Sequence, residues 1–163
     1  MSTIIDTLVT DRTQADVERV KALAAKGFAA MTATERAEWL AGMKGAYNAS
    51  DLNRVGTALN YLAARLGTIC GRSITWTAKT DWAVTDIATA SQAEEYQQHI
   101  QDIRDALAYP AGTPDAPQLA RLTYIGANDI ERILALCEDL IVNVAKSFRH
   151  TGAAECAAGG LLT

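Results

Sequence analysis

The side chains best suited to chemistry are few and scattered. Two histidines (His99, His150) and three cysteines (Cys70, Cys137, Cys156) are spread between positions 70 and 156 of a 163-residue chain. A zinc site needs such residues clustered, as in CxxC or HxxxH, and neither spacing occurs. His99 stands between Gln98 and Ile100, on what reads as the solvent face of a helix. His150 follows a helix end, where a cation meets the dipole favourably. Surface and capping roles are therefore expected for them. The odd, widely spaced cysteines read as reduced thiols of an intracellular product, with Cys137 a small core residue. Loops that cradle phosphate require GxGxxG or GxxxxGK[ST]. The stretch GTICGRS at 67–73 lacks the lysine and follows a helix instead of a strand. No GxSxG elbow is present. Glu94–Glu95 and Glu138–Asp139 are adjacent pairs whose members point to different helix faces, so neither makes an acid–base couple. The expectation is a chain without catalytic residues, cofactor or metal.

What recurs is a phrase of architecture. ADVERV (15–20), SDLNRV (50–55) and NDIERI (128–133) each place an aspartate three residues before an arginine. On a helix this makes neighbours of Asp16 and Arg19, Asp51 and Arg54, Asp129 and Arg132. An aspartate in the first turn also faces the positive end of the helix dipole. Each phrase therefore reads as a helix start. At a surface each pair is worth about 0.3–0.5 kcal/mol, against about 1.5–3 kcal/mol for a fully buried aliphatic side chain. On that basis Leu59→Asp should abolish folding, and Arg54→Ala should leave a folded protein.

The aromatic residues are the candidate contact points. Trp76 and Trp82 fall in a non-helical stretch, where they either mark an interaction site or fold back over the neighbouring helix. Trp39, Tyr47 and Tyr124 complete the candidate set, the tyrosines also reading as staples on the helices that follow them.

Five helices must position these residues. The first is expected over 13–26 and stops at Gly27. The second opens with the Thr32/Glu35 capping box and ends at Gly42 or Gly45. The third, 50–66, carries Leu52, Val55, Leu59, Leu62 and Leu66 on one seam, with Gly56 beside it to admit a neighbouring helix and Gly67 as its cap. GRSITWTAKTDW (71–82) reads as a short strand or an extended crossover. The Thr89/Gln92 box opens the fourth helix, and PAGTPDAP (110–117) is a rigid loop. The fifth runs over about 126–148 with a broad apolar face. The fold class is thus all-α: a bundle of about five helices with a short extended segment near 72–82. It forms one helical domain over 1–149, followed by a flexible small-residue tail over 150–163.

Composition agrees with this and narrows function. The chain is 49% hydrophobic and 21% charged, with few Phe and Pro. A net charge of −4 without a basic run argues against nucleic-acid partners. MSTIIDTLVTDR has neither the basic nor the apolar region of a signal peptide, and no stretch is long enough for a membrane span.

The phrases GAYNASDLNRVGTALNYLAARL (45–66), KTDWAVTDIATASQ (79–92) and LTYIGANDIERIL (122–134) resemble a helical module of phage and prophage tail-associated, virion-structural proteins of gut bacteria. The resemblance implies a virion protein made in the host cytoplasm. It also implies a structural part of a tail, baseplate or fibre that assembles with other virion proteins or with itself, as a homotrimer or larger ring. The competing expectation is a small prophage-encoded regulatory protein that binds a ligand between helices three, four and five, near Tyr96, Trp76 and Cys137.

Overall fold

The computed structural model describes residues 4–159, with side chains described as far as Phe148. It is all-helical: α1 (Gln14–Lys26), α2 (Ala33–Ala41), α3 (Ala49–Cys70), α4 (Ala90–Asp105) and α5 (Tyr124–Gly159). Three short 3-10 turns lie at Ile5–Thr7, Phe28–Ala30 and Leu119–Arg121, and no strand forms among the described residues.

Local chemistry explains most of the boundaries. Thr13, Thr32, Asn48 and Thr89 cap α1 to α4, each in a reciprocal capping box with Asp16, Glu35, Asp51 and Gln92. The first two repeat phrases therefore do start helices. The third does not. α5 begins at Tyr124, where Thr123 Oγ1 accepts from the Gly126 N–H, so Asp129 lies well past the first turn. α3 also passes Gly67 and ends only at Gly71, whose φ of 64° places it in the left-handed region. The backbone of α5 continues to Gly159 through alanine-rich sequence, beyond the expected end near Phe148. The side chains of the expected tail from position 150 onward, and all of 160–163, lie outside the described residues.

α3, α4 and α5 run in the same direction. Arg54 reaches Glu131, while Tyr61 and Arg65 reach Glu138, so α3 and α5 advance together. In the first half of α4, the Tyr96 hydroxyl lies 2.6 Å from that of Tyr47, which precedes α3. Farther along, the Tyr109 hydroxyl donates to the carbonyls of both Ile103 and Ile133. Parallel helices need a return path as long as the helix. That is why residues 71–89 and 106–123 are long connections without an α-helix.

Both returns are held by side-chain amides. Asn60 donates to the Ala78 carbonyl and accepts from its N–H, at 3.0 and 2.7 Å. Asn53 does the same with Trp82, at 2.9 and 2.7 Å. Seven helical residues rise ~10.5 Å and four extended residues span ~13 Å, so the two amides meet the first return (71–89, the strap) nearly in register. Between them Gly56 faces the strap, and a Cβ there would overlap the Lys79 carbonyl oxygen. The close approach foreseen at Gly56 is thus made by an extended chain and not by a helix. On α4, Gln97 and Gln101 hold the backbone of Ala116, and Arg104 donates to the carbonyls of Thr113 and Pro114.

Two apolar cores result. The larger lies among α3, α4 and α5 and includes Val55, Leu59, Leu62, Leu66, Ile100, Ile103, Ile130, Ile133, Leu134 and Ile141. The smaller has Leu23, Met31 and Met43 buried, with Val20 and Trp39 packed on them, and belongs to α1 and α2.

Candidate functional site

The seam between the two cores holds an ionic cluster and two clefts. Its anchor is an ionic clasp. Arg12 Nη2 lies 2.8 Å from Asp51 Oδ1 and 2.6 Å from Glu131 Oε1. Arg54 Nη2 lies 2.5 and 2.7 Å from the same two oxygens. Glu131 is fully buried, and its second oxygen accepts from the Val9 N–H at 2.6 Å and from Arg54 Nε at 3.0 Å. Burial works against the Arg54 charge, but the hydrogen bonds and charges of Glu131 and Asp51 outweigh it and raise its pKa. Asn128 exchanges two backbone hydrogen bonds with Arg12, both at 2.9 Å, and so pins the N-terminal arm to α5.

This corrects the surface reading of the aspartate–arginine pairs. Asp51 and Arg54 do pair, but in the interior and with partners from two other segments. Arg19 turns from Asp16 to Glu38 at 2.8 Å, and Asp16 is occupied by the α1 cap. Only Asp129–Arg132, at 3.7 Å, is the expected i, i+3 pair near the surface. Arg12 was not among the expected site residues. It sits before α1 in no periodic pattern, and only its contacts reveal its role.

Around the clasp lie two clefts. The first, about 480 Å³, is walled by Trp39, Leu40 and Met43 from the α2 end, Tyr47 and Leu52 from the start of α3, and Trp82, Val84 and Asp86 from the strap. The Trp82 indole N–H is buried without a hydrogen-bond partner, and Lys79 Nζ stands 5.0 Å above its ring. The second, about 450 Å³, is lined by Arg12, Gln14, Val17, Lys21, Gly45, Tyr47 and the segment 122–125 with Ala127. Gly45 is required here, because a Cβ would run into the Asp16 backbone. Tyr47 borders both clefts, and its hydroxyl pKa, like that of Tyr96, is raised by burial.

The five aromatic candidates are therefore placed unequally. Trp39, Trp82 and Tyr47 meet at the first cleft, and Tyr124 borders the second. Trp76 is remote from both. It stacks on His99, ring centroids 4.0 Å apart, and donates to Asp102 at 2.7 Å. His99 is consequently buried and not on a solvent face, and burial lowers its pKa. The region foreseen for a ligand among α3, α4 and α5 is filled by Tyr96 and Cys137, both buried in the larger core. Burial pushes the Cys137 thiol up to about 11, so it stays protonated.

Among the described residues, no group of three or more His, Cys, Asp or Glu side chains is placed to hold a metal ion. No described helix is long and apolar enough to cross a membrane. Fold and site thus define an all-α protein with two apolar cores and two clefts along their seam. No protein-family model, curated protein or solved structure matches the chain.

Proposed function

We propose that this chain is a non-enzymatic assembly module that associates with other protein copies through the first cleft. The carrying observation is its rim. Leu40, Val84 and Ile87 are 74%, 96% and 90% exposed; the first two line the cleft, and Ile87 follows three residues after Val84. Aliphatic side chains displayed beside an aromatic-walled hollow have the composition of an interface centre. Trp39 and Trp82 add large, rigid contact area at low entropic cost.

The clasp supports the same reading. Asp51 and Glu131 are two carboxylates that meet, yet two guanidinium groups neutralise them away from solvent. Proton transfer needs a group within reach of substrate, and a closed ion cluster offers none. The setting we propose is a phage virion, on the resemblance of the three phrases to tail-associated modules. The partners are other virion proteins or further copies of this chain in a closed ring.

Sedimentation equilibrium tests this. The wild-type chain should self-associate, and Leu40→Glu combined with Val84→Glu should yield monomers of unchanged helix content. A wild-type chain that stays monomeric at high concentration and ignores purified tail proteins contradicts the proposal. The second reading, a small regulatory ligand-binding protein, draws on the first cleft's volume, which lies in the range of small-molecule sites.

A further inference from the structure

The first half of the strap hangs on one side chain. The Arg72 N–H donates to the Leu66 carbonyl at 3.0 Å, and Asn60 grips the backbone of Ala78. Between those anchors, residues 73–77 make one hydrogen bond among the described residues, from the Trp76 indole to Asp102. The same indole lies flat on the His99 ring, the two planes within 16° and the centroids 4.0 Å apart. Beneath it His99 is 6% exposed and makes no hydrogen bond among the described residues. The carboxylates nearby are poorly placed to receive a further proton donor. Asp102 already accepts from the Trp76 indole on one oxygen and from the Gln98 amide on the other, both at 2.7 Å. Glu95 Oε1 stops 3.8 Å from His99 Nε2, and its side chain is 63% exposed. Glu95 and Asp102 are the charged groups that act on the ring, and none from α3, α5 or the strap does so among the described residues. An imidazolium would therefore hold a charge and a second N–H under the indole with no acceptor in hydrogen-bond reach, which is costly. Burial accordingly lowers the His99 pKa, against the pull of Glu95 and Asp102.

We infer that the Trp76–His99 stack is a pH-sensitive latch: neutral His99 holds residues 73–77 down on α4, and its protonation releases them. With the segment lifted, His99 meets water and titrates near its ordinary value of about 6.5. With the segment closed, it takes the proton less readily. The closed form is thus favoured above about pH 6.5 and loses ground as pH falls below that value. Asn60 and Asn53 do not titrate, so the second half of the strap stays on α3. The latch makes no use of the first cleft, and either it or self-association can fail alone.

NMR of the full chain between about pH 8 and 5 tests the latch. His99 should titrate below about 6.5. Amide exchange at Ile74, Thr75 and Thr77, corrected for its intrinsic pH dependence, should rise several-fold on the acid side, while Ala78 and Trp82 hold steady. In His99→Gln, which takes no proton, exchange at those three amides should no longer change with pH. Glu95→Gln removes the nearest free carboxylate and should lower the His99 midpoint further. A wild-type His99 midpoint at or above about 6.5, or acid-side acceleration that persists in His99→Gln, overturns the inference.

Discussion

The α3–α5 core and the α1–α2 core start their helices with the same capping chemistry but are held together differently. Among the described residues, fifteen buried ones form the first and three form the second. At about 1.5–3 kcal/mol for each fully buried aliphatic side chain, the first gains several times the apolar stabilisation of the second. Their ion pairs differ in the same sense. The clasp of Arg12, Arg54, Asp51 and Glu131 is shielded from water, with Glu131 fully buried. Arg19–Glu38 and Lys26–Glu35 of the smaller core lie at the surface. One phrase, aspartate then arginine three residues on, thus caps its helix in both α1 and α3, but only in α3 does it also enter a buried junction. Its surroundings make the difference. The smaller core therefore depends on the larger through Arg12, Asn128 and the Gly45 contact, and the clefts lie where that dependence is expressed.

The largest effect expected from any single change is that of Leu59→Asp. It places a charge among the α3–α5 aliphatics with no partner, so circular dichroism should show no cooperative melt. Arg54→Ala comes next and sharpens the contrast between copies of the phrase. Breaking a buried pair costs about 3–5 kcal/mol. Arg12 still faces both carboxylates, so about 3 kcal/mol is expected, where a surface position would have cost almost nothing. Arg132→Ala, at the matching place in α5, should change stability by less than about 0.5 kcal/mol. Denaturant melts of the two variants decide it, and equal losses would erase the distinction between buried and surface copies.

Leu23→Ala should cost about 2–5 kcal/mol, but within the smaller core. Its melt should acquire an early phase in which α1 and α2 unfold while the α3–α5 signal persists. Gly56→Ala should cost about 1–3 kcal/mol by forcing the strap off α3, with the amide signals of Ala78 and Trp82 shifting most. The smallest effect is one of pH. Glu35 is held down to about 2 by its hydrogen bond from Lys26 and by the Thr32 backbone N–H. A carboxyl depressed in the folded state stabilises above its ordinary pKa, and loses that contribution as pH falls toward the folded value. The smaller core should therefore weaken between about pH 4.5 and 2, and Glu35→Gln should remove that part of the acid response.

The sequence carried the local half of this account. Thr32/Glu35 and Thr89/Gln92 are capping boxes legible from spacing, the α3 seam is a plain heptad-like stripe, and 71–82 lacks helical periodicity. It did not carry the pairings between distant segments. Arg12, Asp51 and Glu131 are separated by 39 and 80 positions, and no periodic pattern links them. Asn53 and Asn60 read as ordinary polar positions on a helix until a backbone lies beside them. His99, between Gln98 and Ile100, reads as a solvent-face position, yet Trp76, arriving from the strap, covers it. The common direction of α3, α4 and α5 was implicit only in the length of the two returns.

Residue-resolved hydrogen exchange on the folded chain tests the two-core account most directly. Amides of α3 and α5 should exchange only through global unfolding, while those of α1 and α2 should open separately at a markedly lower free energy. A single opening free energy shared by α1, α2, α3 and α5 would contradict it.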